Sequence, residues 1–195
     1  MKAIERYYGK IDKGDLVFNE NEIALRLNTG RGYTNDIIEK CKKVLLDTVD
    51  CHYCGIRLDV ICGQEKVDFG DFSVDSTALA KNLHGISKCF IMAVTLGSPV
   101  DRLLKRLSVS SSAEYYITDA LASALAECAA DKAELLIKGE CKCRVRFSPG
   151  YADFSIEKQA DVLKVLDAGR LLGISLSKSF LMTPQKTITA VIGII

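Results

Sequence analysis

The stretch Arg146–Asp153 (RFSPGYAD) combines the residue types best suited to holding a small charged ligand. Arg146 offers a planar guanidinium that binds a carboxylate through paired hydrogen bonds, and Tyr151 offers an aromatic face with a hydroxyl. The Pro149-Gly150 pair predicts a sharp turn in which glycine adopts a positive φ and leaves backbone groups open to a ligand. The same residues also fit an ordinary type II turn with an exposed arginine and a packing tyrosine. Composition alone favours this second interpretation.

The eight cysteines are a second group with possible chemistry. Cys51 and Cys54 have the spacing of a half-site for zinc or an iron–sulfur cluster. They precede a strand pattern rather than a tight knuckle, however, and Cys141 and Cys143 are one residue apart instead of two. We therefore predict no metal site and expect buried free thiols. A site built from Cys62 and these two pairs remains the weaker alternative.

Charge and composition exclude several classes of function. The chain has 26 basic and 25 acidic residues without a run of five or more like charges, so it offers no field for a polyanion. It lacks tryptophan, and only 7% of its residues are aromatic, which leaves few platforms for nucleic-acid bases. Two histidines without a serine and aspartate nearby give no support for a hydrolytic triad. No signal peptide or membrane span is visible, so we expect a cytoplasmic protein with no nucleic-acid or membrane partner.

The elements that must position these residues can be predicted from apolar periodicity. Helices are predicted at 19–27, 35–46, 76–84, 99–107, Ser112–Lys138 and 155–168. Asn28 and a turn at Gly30 and Gly32 are expected to stop the first of them. Strands are predicted at 53–62, 65–72, 89–95, 144–147 and 188–195, the first two joined as a hairpin through Gly63-Gln64. Because the elements mix without a βαβ rhythm, the sequence predicts the α+β class.

Residues 146–194 resemble the activation region of cobalamin-dependent methionine synthase, in its short stand-alone form. In that family an Arg, three variable residues and Gly-Tyr form the S-adenosylmethionine-binding signature, followed by a helix, a conserved segment and a strand. The counterparts here are Arg146, Gly150-Tyr151, 172–176, Ser179, 182–184 and 187–192. Further matches upstream are at 23–32, 93–97 and 119–134; the resemblance is weak in the first half of the chain and strong after Tyr115. The resemblance implies a mainly antiparallel twisted sheet flanked by helices, in one unit of residues 1–195 with an extension at about 1–22 and the family-like region at 23–195.

The resemblance also implies roles for five residues of the motif. Arg146 would bind the carboxylate of the methionine moiety of S-adenosylmethionine. Ser148 and Gly150 would offer backbone contacts. Tyr151 would pack against the bound ligand, and Ala152 would continue that wall.

Two acidic residues, Glu127 and Glu140, also fall where the family has acidic residues near the ligand. A carboxylate close to a sulfonium or ammonium group would stabilise it. The alternative for Glu127 is a solvated helix face, because acidic or polar residues recur every four positions at Asp119, Ser123, Glu127 and Asp131. Both interpretations of Glu127 stay open, and for Glu140 the solvated one is favoured.

The function implied by the resemblance is that of an S-adenosylmethionine-binding reactivation subunit, a methyltransferase component rather than a complete enzyme. A partner corrinoid protein would carry the cobalamin. Its cob(II)alamin would receive an electron from a flavodoxin- or ferredoxin-like donor and a methyl group from S-adenosylmethionine, in support of methionine biosynthesis. The family's acidic ligand in a Trp-containing segment has no counterpart here, and the family continues beyond the last strand. These differences leave a second interpretation: a non-catalytic docking subunit of a corrinoid methyltransferase complex with a degenerate ligand site.

Overall fold

The computed structural model describes residues 5–28 and 35–195, and its elements confirm the α+β class. The strands are β1 (Arg6–Lys10), β2 (His52–Asp59), β3 (Ile61–Cys62), β4 (Lys66–Asp68), β5 (Ser73–Asp75), β6 (Lys88–Thr95), β7 (Ser175–Leu176), β8 (Met182–Thr183) and β9 (Thr187–Gly193). The α-helices are α1 (Glu20–Leu27), α2 (Asp36–Thr48), α3 (Thr77–Asn82), α4 (Ser98–Ser110), α5 (Ser112–Lys138), α6 (Gln159–Leu166) and α7 (Ala168–Leu172). Single 3-10 turns lie at Lys13–Asp15 and Ile156–Lys158.

The central sheet has four strands in the order β1-β2-β6-β9, and all its pairs are antiparallel. The apolar run at 89–95 forms most of β6, which is buried along its length after Lys88, as predicted. Its side chains alternate between two cores. Phe90 and Met92 face the layer built from α2, α4 and α5, whereas Ile91 and Ala93 face a second core that includes α3, α6 and α7. Helices thus cover both faces of the sheet.

Helix α5 is the longest helix of the described residues, and its bounds confirm the prediction. Ser111 caps its first turn by accepting a hydrogen bond from the Glu114 backbone N–H, and Gly139 ends it with a φ of +52°. Small side chains such as Ala129 and Ala133 are fully buried against the sheet. They let the helix axis approach closely, which brings the polar edge of α5 beside β9.

One predicted strand, 53–62, is interrupted in the structure. Val60 leaves the ladder and donates its backbone N–H to Ser87 O, 2.9 Å away. The first part, β2, therefore pairs with β1 and β6, and only the short β3 pairs with β4. The predicted hairpin through Gly63-Gln64 exists, but it joins β3 to β4, with the Gly63 N–H bonded to Lys66 O.

The prediction of a strand at 144–147 is also wrong, because these residues do not form a regular strand. Only two isolated bridges connect this part of the chain to the sheet, Cys143 to Ile194 and Phe147 to Val191. Between them the backbone departs from the ladder, which leaves Arg146 beyond the edge of β9.

Two helix ends fall at residues with left-handed backbone. Asp167, at φ +56°, divides the predicted helix 155–168 into α6 and the start of α7. Asn28, at φ +52°, ends α1 as predicted, whereas the turn at Gly30 and Gly32 lies outside the described residues. β1 belongs to the central sheet, and the division of the chain at about residue 22 stays a prediction. Among the described residues, no helix combines the length and apolarity needed to cross a bilayer.

Candidate functional site

Arg146 lies between the edge of β9 and the polar side of α5, where three carboxylates surround its guanidinium. Its Nη1 donates to Asp131 Oδ1 at 2.7 Å and to Glu134 Oε2 at 3.0 Å. Its Nη2 lies 3.6 Å from Glu127 Oε2. Residues 127, 131 and 134 share one face of the helix because they are four and three positions apart. The helix therefore presents a row of acceptors to a single arginine.

The three carboxylates differ in exposure. The side chain of Glu134 is only 16% exposed and also pairs with Lys138 Nζ at 3.1 Å. That of Asp131 is 68% exposed, and that of Glu127 lies between the two. Glu134 is therefore the fixed neighbour of Arg146, and Asp131 is the partner most open to solvent.

The charges at this site favour a cation-bearing ligand. Burial raises the pKa of Glu127, and the nearby Arg146 offsets this only in part. Burial acts to lower the pKa of Arg146, but the hydrogen bond and charge of Asp131, with those of Glu134, outweigh it and raise the pKa. The guanidinium therefore stays charged. Three carboxylates surround two cationic groups, this guanidinium and one lysine. The local excess of negative charge would attract a sulfonium or ammonium group.

Two adjoining pockets meet at Arg146. The acidic pocket has a volume of about 470 Å³ and is lined by Glu127, Asp131, Glu134, Val145, Arg146, Ser148 and Ile188. The aromatic pocket has a volume of about 420 Å³ and is lined by Asn82, Val145, Arg146, Phe147, Ser148 and Tyr151. They share three residues of one irregular segment. A ligand that spans both would place charged groups against α5 and a flat ring beside the aromatic side chains.

The turn after Arg146 has the backbone conformation that its Pro-Gly pair predicts. Gly150 has a φ of +88°, in the region that favours glycine. Its N–H is not open to a ligand, however, because it donates to Phe154 O at 2.7 Å. Ala152 also has a positive φ, +50°, which no feature of the sequence indicates.

A second feature that sequence analysis missed is the anchoring of this turn by Asp153. Its carboxylate accepts a hydrogen bond from Ser76 Oγ and others from the backbone N–H groups of Thr77, at 2.8 Å, and Ala78, at 3.2 Å. These hydrogen bonds lower the pKa of Asp153, that of Ser76 most of all. The turn is thereby tied to the start of α3.

The remaining motif residues have distinct positions. Ser148 Oγ donates to Thr189 O at 2.7 Å, which ties the segment to β9. Tyr151 is 67% exposed, and its ring meets that of Phe147 edge to face with centroids 5.4 Å apart. Ala152 lines neither pocket.

The two acidic residues singled out from the sequence occupy different positions in the structure. Glu127 lines the acidic pocket, whereas Glu140 lies exposed in the turn after α5 and outside both linings. From the sequence, Asp131 belongs to a helix face whose solvated interpretation is one of two left open, and Glu134 is not singled out. Their spacing from Glu127 is the signal that could have found them.

The cysteine pair Cys51 and Cys54 does not converge. Cys51 belongs to the core beneath α5 and Cys54 to the core on the other face of the sheet. Burial raises the pKa of each thiol to about 12, which disfavours the thiolate that a metal needs. Within residues 5–28 and 35–195, no group of three or more His, Cys, Asp or Glu side chains is arranged to hold a metal.

Comparison with solved structures supports the fold. The structure is similar to that of the MetH reactivation domain crystallised with AdoHcy, with a TM-score of 0.74 at 13% sequence identity. The alignment covers 97% of this chain and 78% of the solved one. At this identity the likeness shows the fold alone, and it confirms the mixed sheet-and-helix arrangement. No protein-family model and no curated protein matches the sequence.

Proposed function

We propose that this chain binds S-adenosylmethionine at Arg146 and presents its methyl group to a corrinoid carried by a partner protein, as a reactivation subunit of a methionine synthase-like methyltransferase. The observation that carries the proposal is the position of Arg146 between a row of carboxylates and an aromatic pocket. The fold supports it, because the solved domain that shares this fold was crystallised with AdoHcy.

The chemistry of the pockets suits the three charged groups of S-adenosylmethionine. The guanidinium of Arg146 would receive the amino-acid carboxylate. The carboxylates of Glu127 and Glu134 would stabilise the sulfonium and the ammonium group. The rings of Phe147 and Tyr151 would pack against the adenine, and the Val145 methyl groups, shared by both pockets, would contact the sugar.

The contribution of the chain to methyl transfer would be position and charge. When bound to its own protein, the corrinoid supplies the nucleophile that accepts the methyl group, so no general base is required here. The absence of a histidine from the lining of both pockets agrees with this role. Val145 and Tyr151 are 80% and 67% exposed at the rim, and a docked corrinoid protein would cover them. We also propose a flavodoxin- or ferredoxin-like donor for the electron.

The direct test is calorimetric titration of S-adenosylmethionine into the protein and into Arg146→Ala. Saturable 1:1 binding by the wild type that is lost in the variant is expected. Arg144→Ala is the matched control, because Arg144 is exposed two residues away and lines neither pocket. Circular dichroism would check that each variant folds. Equal affinity in Arg146→Ala would refute the site, and absence of binding by the wild type would refute the ligand.

The second candidate function, a docking subunit with a degenerate ligand site, is favoured by one observation. Both hydrogen bonds of Arg146 Nη1 go to carboxylates of the chain itself. A docking subunit would bind a corrinoid protein but not S-adenosylmethionine. Transfer of a labelled methyl group from S-adenosylmethionine to the partner's corrinoid would exclude this candidate.

A further inference from the structure

The two carboxylates bound to Arg146 Nη1 differ in how firmly they are held. Glu134 is mostly buried and pairs with Lys138 as well. Asp131 makes the shorter contact, 2.7 Å, but most of its side chain faces solvent. Exposed ion pairs are weak because water competes for both partners. Asp131 is therefore the partner that can be exchanged.

The geometry of Nη1 makes such an exchange necessary for a ligand carboxylate that binds the guanidinium end-on, through Nη1 and Nη2 together. A guanidinium Nη carries two N–H donors, and here one points to Asp131 and the other to Glu134. A ligand carboxylate bound end-on through paired hydrogen bonds uses one donor of Nη2 and needs one of these two from Nη1. If Glu134 were displaced, its mostly buried carboxylate would lose one of its two cationic partners, which is costly. If Asp131 were displaced, its exposed carboxylate would be solvated by water instead.

We propose that Asp131 is an exchangeable occupant of the carboxylate position on Arg146, so that it lowers the affinity of the site for amino-acid-bearing ligands. The inference rests on the proposed function. Glu134 is then a positioning residue that keeps the guanidinium in place while Asp131 is exchanged. The protein binds S-adenosylmethionine less tightly than its contacts alone would allow, and the side chain at position 131 sets that affinity.

The test uses two ligands that differ in the carboxylate alone. S-adenosylmethionine has the carboxylate, and decarboxylated S-adenosylmethionine keeps the sulfonium and amine but lacks it. Asp131→Asn removes the charge of the competing side chain, so affinity for S-adenosylmethionine should rise about two- to fivefold, the range of an exposed ion pair. Affinity for the decarboxylated ligand should stay equal or fall, because that ligand gains nothing from a free Nη1 and loses a nearby negative charge.

Asp119→Asn is the matched control, since Asp119 is on the same helix and pairs with Lys186 at 2.8 Å instead of with Arg146. Asp119→Asn should leave unchanged the ratio of the affinity for S-adenosylmethionine to that for the decarboxylated ligand. Glu134→Gln should lower the affinity for S-adenosylmethionine, because Arg146 loses its buried partner. Thermal denaturation would confirm that the variants are folded.

The outcomes separate this inference from the proposed function. Binding of S-adenosylmethionine by the wild type, with equal or weaker binding by Asp131→Asn, would overturn the exchange and leave the proposed function in place. Binding by the wild type, with tighter binding by Asp131→Asn, would support both. If neither protein binds the ligand, the proposed function is wrong and the exchange is wrong with it.

Discussion

Asp153, in the turn after Arg146, accepts a hydrogen bond from Ser76, which lies 77 positions earlier in the chain. The same carboxylate accepts hydrogen bonds from the first backbone N–H groups of α3. The turn that carries Gly150 and Tyr151 is thus attached to an element of the second core rather than left as a loop. The position of Tyr151 beside the aromatic pocket depends on this attachment.

Replacement of Asp153 by Asn should destabilise the protein in a pH-dependent way. The folded-state pKa of Asp153 is lowered from the ordinary value of 3.8, chiefly by the Ser76 hydrogen bond. A lowered carboxyl pKa stabilises the folded state above the unfolded-state pKa, and this contribution is lost as the pH falls through the folded-state value. Wild type and Asp153→Asn should therefore differ in Tm at pH 7, and the difference should shrink as the pH falls below about 4 towards the lowered folded-state pKa.

The exposed Asp75 supplies a control for that experiment, since it is near in sequence to Ser76 but is not a partner of Asp153. Asp75→Asn should leave the Tm unchanged at both pH values. A Tm difference for Asp153→Asn that persists undiminished at pH 3 would contradict the proposed role of its charge.

Gly150→Ala should cost about 1–3 kcal/mol of the free energy of unfolding. The backbone at this position has a φ of +88°, and a Cβ would lie 3.1 Å from Ile156 Cδ1. Chemical denaturation measures the loss, and calorimetry should show weaker binding of S-adenosylmethionine because the turn moves. Gly14→Ala is the control, because Gly14 is exposed and a Cβ there meets no atom within 4 Å. Equal stability of the two variants would argue against strain at Gly150.

The sequence predicts the helices of this fold well because their ends carry local signals. Ser111 and Gly139 mark the bounds of α5, and Asn19 and Asn28 mark those of α1. The buried run of β6 also carries a local signal, since an apolar run of only seven residues is typical of a strand covered on both faces.

The parts that local patterns predict poorly depend on distant hydrogen bonds. Val60 interrupts a strand pattern because its N–H bonds to Ser87, and no property of residues 53–62 indicates that partner. The segment around Arg146 leaves the ladder between its two bridges to β9, and its own sequence does not indicate these distant partners either. The contrast between Glu134 and Asp131 is one of burial, which the helix acquires only when it packs beside β9. Residue types therefore indicate Arg146, but not its partners.

The buried thiols predict how the protein reacts with thiol reagents and chelators. Burial raises the pKa of Cys51, Cys54 and Cys89 to about 12, so these thiols are protonated at pH 8. They should not react with a disulfide reagent in the native protein, whereas all eight cysteines should react in denaturant. A chelator should leave the Tm unchanged. Rapid labelling of Cys51 in the native state, mapped by mass spectrometry, would contradict its burial, and a fall in Tm with chelator would revive the metal alternative.

Glu127→Gln should stabilise the protein slightly while it weakens ligand binding. Burial raises the folded-state pKa of Glu127, so its ionisation opposes folding, and the folded state loses stability as the pH rises through that pKa. A neutral side chain of the same shape removes this cost, and Tm at pH 8 should rise by a small amount. Loss of the charge facing a sulfonium should reduce the affinity for S-adenosylmethionine about fivefold, as expected for a half-exposed ion pair worth about 1 kcal/mol.

Glu140→Gln separates the two acidic residues that sequence analysis singled out. Glu140 lies exposed beyond α5 and outside the acidic pocket, so its variant should keep both the Tm and the affinity of the wild type. Glu127, in contrast, would bind a cation at some cost to folding. Such a cost is typical of a functional residue, since stability alone would favour glutamine at position 127. An affinity loss in Glu140→Gln equal to that in Glu127→Gln would mean that long-range charge, rather than the position of Glu127 beside Arg146, attracts the ligand.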